Sequence, residues 1–152
     1  MAIDGVKIKQ LKTWADDRGF FREVLRVDEG LSPTIKQTSM TLSHPGVIKA
    51  FHWHAKQDDF WYVAKGMARV ALYDQRVGSL TKGEKQEIVI GEYNPVGVFI
   101  PHGVAHGYQV LGNEPVLLFY HTTECYDAKN PDEHRIPWDD KKIGFDWTIK
   151  NR

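Results

Sequence analysis

The sequence holds a single cysteine, Cys125. No internal disulfide framework can form from it, which fits a reducing compartment. Charge of one sign is also missing: 20 Lys and Arg balance 20 Asp and Glu. Neither nucleic acid nor an anionic membrane is therefore favoured as a partner, and an anionic ligand must be held by local charges. No apolar run approaches the roughly 18–20 residues of a membrane span, and the opening Met1-Ala-Ile-Asp-Gly does not read as a signal peptide. No segment ahead of residue 125 keeps a 3.6-residue apolar period over three turns, which leaves no place for long helices. Internal repeats, low-complexity blocks and linkers are absent too. The expectation is a soluble cytoplasmic protein with one domain spanning residues 1–152.

What is there is a succession of short apolar or alternating runs: 6–11, 20–27, 39–43, 47–54, 60–64, 68–74, 87–90, 98–100, 107–111 and 116–122. Gly, Pro, Asn and Asp separate them, the pattern of an all-β sandwich or barrel. Ten short strands in this length predict a jelly roll around a binding cavity. Beyond about residue 127 the tail has room for a short helix, or a strand near 143–149.

The chemistry concentrates between Gly46 and Gly66. If 47–54 is a strand, alternate side chains share a face. Ile48, Ala50, His52 and His54 then line one side, and Val47, Lys49, Phe51 and Trp53 the other. Two histidines beside small apolar neighbours read as a pocket wall. The spacing G-x5-H-x-H-x4-D-x6-G is followed by Pro101-His-Gly103-Val-Ala-His106. Together they resemble the two motifs of the cupin superfamily, with Asp59 where cupins usually carry Glu. Three readings stand side by side. His52, His54, Asp59 and His106 can hold iron, manganese or zinc, as in metal-binding cupins. Neutral imidazoles can do acid–base work near neutral pH. The plainest reading is hydrogen-bonded cavity histidines with no chemistry.

A closer resemblance lies outside that motif. Asp17-Arg18-Gly-Phe-Phe-Arg-Glu23, Gln37-Thr-Ser-Met-Thr41, Gly46-Val-Ile-Lys49-Ala-Phe-His52 and Asp74-Gln-Arg76 resemble the dTDP-4-dehydrorhamnose 3,5-epimerase family. So do Ile100-Pro-His-Gly-Val-Ala-His106-Gly107, Phe119-Tyr120-His-Thr-Thr-Glu-Cys-Tyr126 and Ile136-Pro-Trp-Asp-Asp140. These blocks follow the family order over nearly the whole chain. The resemblance implies a homodimeric jelly roll that uses no metal or other cofactor and takes a nucleotide sugar with a 4-keto group. Such a ketone acidifies C3–H and C5–H, because the carbanion's charge passes to oxygen as an enolate. A base on one face and an acid on the other invert the carbon. By resemblance His52 is the base and Tyr120 the acid. Arg18 contacts the diphosphate, often from the neighbouring subunit, which suits a guanidinium fork. Gln37 lies on the nucleotide side, Lys49 replaces a family arginine, His106 orients or binds, and Tyr126 joins the substrate-binding residues.

The sequence also departs from the family. Asp59 stands in place of a lysine that helps hold the oxyanion, His54 in place of a glutamine, and Ser39 in place of an asparagine. The family's C-terminal aspartate, partner of the base, is expected beyond Arg152. Asp59 is then expected to substitute for it by hydrogen bonding to His52 or His54. A second resemblance, of Phe51-His-Trp-His54 to dTDP-sugar 3,4-ketoisomerases, implies a proton shuttle by His52 and His54 along one sugar face. A metal-dependent cupin enzyme and a non-catalytic sugar-binding cupin remain as alternatives. Phe60, Trp53 and Trp61 read as packing or as an aromatic wall. Cys125, with no base at fixed spacing, is not expected to act as a nucleophile.

Overall fold

The computed structural model describes residues 2–31 and 34–150; Met1 and Arg152, used above, lie outside them. The described residues form twelve strands and one 3₁₀ turn, Val27–Glu29. The strands are β1 Lys7–Gln10, β2 Thr13–Asp16, β3 Gly19–Arg22, β4 Gln37–Ser43, β5 Ile48–Trp53 and β6 Asp59–Lys65. They continue as β7 Met67–Asp74, β8 Lys85–Gly91, β9 Val96–Ile100, β10 Val104–Leu111, β11 Val116–Thr122 and β12 His134–Arg135. Two five-stranded antiparallel sheets result, ordered β1-β9-β6-β11-β4 and β12-β5-β10-β7-β8, with β2 and β3 as a separate hairpin. This is the all-β jelly roll expected from the strand pattern. Among the described residues no helix is long and apolar enough to cross a membrane.

The main core lies between the sheets. Trp61, Val63 and Val98 from the first sheet meet Val70, Leu72 and Tyr108 from the second. Each sheet also carries a cover on its outer face. Leu11, Phe60, Tyr62 and Phe99 are buried under Val24 and Leu25. Phe51, Ala71, Tyr73 and Ala105 are buried under the tail residues Ile143 and Trp147. With both faces covered, β6 and β7 read as near-continuous apolar runs rather than alternating ones. Gly66 joins them at φ +74°, with no room for a Cβ against the Pro115 carbonyl.

Several expectations change. The run 20–27 is a strand only to Arg22; beyond it Arg26 pairs with Glu23 at 2.9 Å and Asp28 at 2.6 Å in a turn. The hairpin partner β2 and the short β12 were not expected. The tail near 143–149 is neither helix nor strand. Asp140 accepts hydrogen bonds from the Lys142 and Ile143 amides, and Asp146 from that of Thr148, so side chains take the place of a ladder.

The change that matters for the site lies in β5. His52 pairs with His106 but Lys49 pairs with Tyr108, so three residues of β5 span two of β10. This is a β-bulge, and it reverses the alternation. Directly opposed residues share a face, and His106 and Tyr108 are two apart and buried inward. Lys49 and His52 therefore both face the interior. Ile48, Ala50, Phe51 and Trp53 instead join the outer cover. The expected grouping of Ile48 and Ala50 with the histidines, and of Lys49 away from them, is corrected. Gly107 makes the bulge possible: a Cβ there would lie 2.3 Å from the Ala50 Cβ and 2.6 Å from the Lys49 carbonyl oxygen.

Candidate active site

Between the two sheets opens a cleft of about 1100 Å³. Gln37, Lys49, His52, His54, Asp59, Tyr120 and Tyr126 all line it, seven of the nine residues singled out from the sequence. The second sheet provides Lys49 and His52 from β5, with His54 just past its end. The first sheet provides Asp59 from β6, Tyr120 from β11 and Gln37 from β4. His52 and Tyr120 thus stand on opposite walls. Tyr120 is opposed to Trp61 across the β11–β6 pair, so both rings project into the same interior.

The histidines form a packed group. His52 and His106 rings meet edge to face at 4.1 Å, and His54 lies 5.3 Å from His52. Trp61 stacks on His52 at 6.0 Å and meets the edge of His106 at 5.0 Å. Burial first, and then the His106 ring, hold the His52 imidazole well below its ordinary pKa against the opposing pull of Asp59. His52 is therefore neutral near pH 7, the form a base requires. No hydrogen bond to a described residue orients its ring, which is fixed by packing.

Asp59 is 2% exposed. Its carboxylate accepts hydrogen bonds from Trp61 Nε1 at 3.0 Å and the Gln57 amide at 2.8 Å. Burial works against the charge, but His106, His54 and Gln57 outweigh it and bring the pKa down to about 2. The expected hydrogen bond from Asp59 to His52 or His54 is not made. Asp59 instead lies 3.8 Å from His54 Nε2 and 3.6 Å from His106 Nε2. His106, 2% exposed, sits behind the wall rather than on it and donates from Nδ1 to the Val104 carbonyl at 2.8 Å.

Arg18 is the residue not brought to the cleft. It stands at the exposed turn of the β2–β3 hairpin, paired with Asp16 at 2.5 Å. Gln37 ties β4 to the loop after β11: it donates to Ser39 at 3.0 Å and accepts from the Tyr126 amide at 2.9 Å. Lys49 donates to Thr41 at 2.9 Å.

Residues near 132–138 complete the site; 136–138 belong to a resembling block, whereas Asp132 and Arg135 carry no signal in the sequence reading. Asp132 accepts hydrogen bonds from the Ala55, Lys56 and Gln57 amides at 2.7–3.0 Å, and its carbonyl accepts from His54 Nδ1. It thereby fixes both the loop after β5 and the His54 ring. Arg135, opposed to His52 across β12–β5, and Trp138 line the cleft. A lone Asp two residues before a two-residue strand carries no periodic signal. Trp53 stacks on His134 at 4.3 Å outside the cleft, and Phe60 lies in the outer cover.

Comparison with known proteins follows the same line. The family model described as dTDP-4-dehydrorhamnose 3,5-epimerase matches residues 1–152. The spore coat polysaccharide biosynthesis protein SpsL of Bacillus subtilis (strain 168) is 54% identical over 150 residues, covering 99% of each chain. The probable low-salt glycan biosynthesis epimerase Agl13 of Haloferax volcanii is 41% identical, covering 97% of this chain and 96% of its own. The crystal structure of dTDP-6-deoxy-D-glucose-3,5-epimerase from Legionella pneumophila, in complex with dTDP-4-keto-L-rhamnose, has a TM-score of 0.88 at 27% identity. It covers 100% of this chain, which covers 83% of it. With the family model matched from end to end on a shared fold, the chain belongs to the dTDP-4-dehydrorhamnose 3,5-epimerase family.

Proposed function

We propose that the protein epimerises a nucleoside-diphosphate 4-keto-6-deoxy sugar, in the making of a surface polysaccharide or glycan. One observation carries the reading: a half-buried imidazole held neutral, His52, faces a tyrosine, Tyr120, from the opposite wall of one cleft. His52 removes the proton α to the ketone, charge passes to the ketone oxygen, and the Tyr120 hydroxyl returns a proton to the other face. Gln37, Lys49 and Tyr126 hold the nucleotide side. The printed roles of SpsL in spore coat polysaccharide and of Agl13 in glycan biosynthesis support the setting.

Arg18 fits the reading as a residue donated to a second copy's cleft. Phe20 and Phe21 flank it on the hairpin, 63% and 64% exposed, and Met40 and Leu42 are exposed on edge strand β4. Apolar surface of this kind is what an isologous dimer covers. Ketone migration by a His52–His54 shuttle is less well supported. His54 Nδ1 is taken by the Asp132 carbonyl, and its Nε2 is aimed at the Gln57 amide at 3.3 Å and at Asp59 at 3.8 Å, protein groups rather than an open face of the cleft.

The deciding experiment is incubation with dTDP-4-keto-6-deoxyglucose in deuterated water, followed by NMR. Deuterium at C3, C5 or both, with inverted configuration and the ketone still at C4, is expected. Ketone movement to C3 would make it an isomerase of the other kind, and no exchange would leave a sugar-binding protein.

A further inference from the structure

We propose that His54, Asp59 and His106 bind a divalent first-row transition metal ion, although the resemblance to the family implies none. The ring orientations carry this. His106 Nδ1–H donates to the Val104 carbonyl and His54 Nδ1–H to the Asp132 carbonyl. In the neutral form, with its one N–H on Nδ1, each imidazole presents the Nε2 lone pair. The Gln57 amide nitrogen 3.3 Å from His54 Nε2 fits that tautomer, because it can only donate.

Both lone pairs converge on the Asp59 carboxylate, at 3.8 and 3.6 Å. These separations exceed a hydrogen bond's range of about 2.7–3.2 Å, and His106 Nε2 is buried with no hydrogen-bond partner. Three electron-rich atoms facing one another away from water repel unless positive charge sits between them. Ligand atoms about 2.0–2.2 Å from a zinc-like ion lie roughly 2.9–3.4 Å apart, so each histidine nitrogen has less than about 1 Å to close on its Asp59 oxygen, Oδ1 for His54 and Oδ2 for His106. Carbonyls on Nδ1, and Trp61 and Gln57 donating to the carboxylate, form the outer hydrogen-bond layer typical of metal ligands.

His52 completes a group of four whose ligand atoms lie within 4.8 Å of one another. It is left out because no carbonyl anchors its ring and it faces the cleft. With three protein ligands the ion keeps open positions, and Asp59 and His54 line the cleft. An ion held there would supply positive charge to the ketone oxygen as it gains charge, in the place where the family has a lysine. That role, unlike the binding itself, rests on the epimerase reading.

The test uses the full chain, stripped with a chelator and titrated with Co²⁺ and Zn²⁺ alone. Expected are about one ion per chain, a Co²⁺ absorption spectrum with imidazole ligands, and a raised melting temperature with Zn²⁺. Asp59→Asn and His106→Ala should each weaken binding at least tenfold. Trp61→Phe, which removes an outer donor and shortens the ring packed on His52 and His106, should weaken it by about tenfold, whereas His52→Ala should bind within threefold of wild type. Saturating wild type with neither a spectral nor a thermal response overturns the site without a variant having to fold. Loss of binding in His52→Ala equal to that in Asp59→Asn overturns the three-ligand assignment. Deuterium exchange that is equal in stripped and reloaded protein overturns the ion's role and leaves epimerisation standing. Metal binding without exchange in any form removes the epimerase reading and leaves the site.

Discussion

Gly107→Ala tests the bulge that builds the active site. A Cβ at this position would meet the Ala50 Cβ at 2.3 Å, the Ala50 Cα at 2.5 Å and the Lys49 carbonyl oxygen at 2.6 Å. Ordinary carbon contacts begin near 3.5 Å, so β5 must move from β10 by about 1 Å. Two of the three contacts are backbone, which no rotamer change relieves. Overpacking of this kind costs about 1–3 kcal/mol. For a chain of 152 residues that is a fall in melting temperature of about 2–12 °C. The functional loss is expected to be larger in proportion, because His52 and Lys49 flank the displaced segment. A base misplaced by about 1 Å loses roughly 10²-fold in rate. Differential scanning fluorimetry reads the first effect, and deuterium wash-in followed by NMR the second. Adding Ala50→Gly removes the shortest contact but leaves the other two, so rescue should be partial. Wild-type stability and exchange in Gly107→Ala would refute the claim that close backbone approach sets the bulge. Full rescue by Ala50→Gly would move the cause from backbone to side chain.

Four further outcomes are expected. His52→Ala should lower exchange at every α carbon by roughly 10²–10⁴-fold, and undiminished exchange would remove His52 as the base. Tyr120→Phe should keep wash-in from the His52 side while inverted product falls by about 10²-fold; equal loss of both would show that Tyr120 is not the opposite-face acid. Light scattering at micromolar concentration should give a dimer, with Arg18→Ala raising KM more than it lowers kcat; a monomer with normal KM would refute both. Asp74 is buried, and donors from Arg76, Ser79 and Thr81 outweigh the cost of burial and hold its pKa well below the usual carboxylate range. Its stabilisation is therefore full above the unfolded carboxyl's pKa of about 3.9 and is lost as pH falls toward the depressed folded value. Asp74→Asn should cost about 3 kcal/mol near pH 7, a gap in chemical denaturation that narrows in acid; a gap constant with pH would refute it.

Much of this was legible because strands report burial through alternation. The runs at 68–74, 98–100 and 116–122 each lie within an observed strand, and the histidine spacing located the cleft. Where reading failed, the cause was something other than alternation. The bulge in β5 reverses faces midway, so a strict period of two put Lys49 on the wrong side. Its one trace in the sequence is Gly107, since a glycine inside a strand marks a bulge or a close approach. The tail resisted for a different reason. Its order comes from Asp140 and Asp146 taking nearby amides and from Trp147 donating to the Trp138 carbonyl at 2.9 Å. Such contacts leave no periodicity to read. Arg18 was chosen by resemblance, and nothing within one chain brings it to the cleft.

The same bulge explains how one strand sends a lysine into the cleft and apolar side chains into the outer cover. With strict alternation, Lys49 would point into the apolar cover formed by Phe51, Ile143 and Trp147, where an unpaired ammonium is costly. With the face reversed, Lys49 looks into the cleft and reaches Thr41, while Ala50 and Phe51 fill the cover. His52 then keeps its register with His106. That register brings the Asp59 carboxylate of the opposite sheet within 3.6 Å of His106 Nε2. A carboxylate lining the same cleft as His52 would oppose an enolate if left uncompensated. The geometry therefore demands positive charge at this point, as a proton shared with a histidine or as a bound cation. The Gln57 amide nitrogen 3.3 Å from His54 Nε2, which can only donate, leaves that nitrogen no proton to share, and metal titration separates the two at His106.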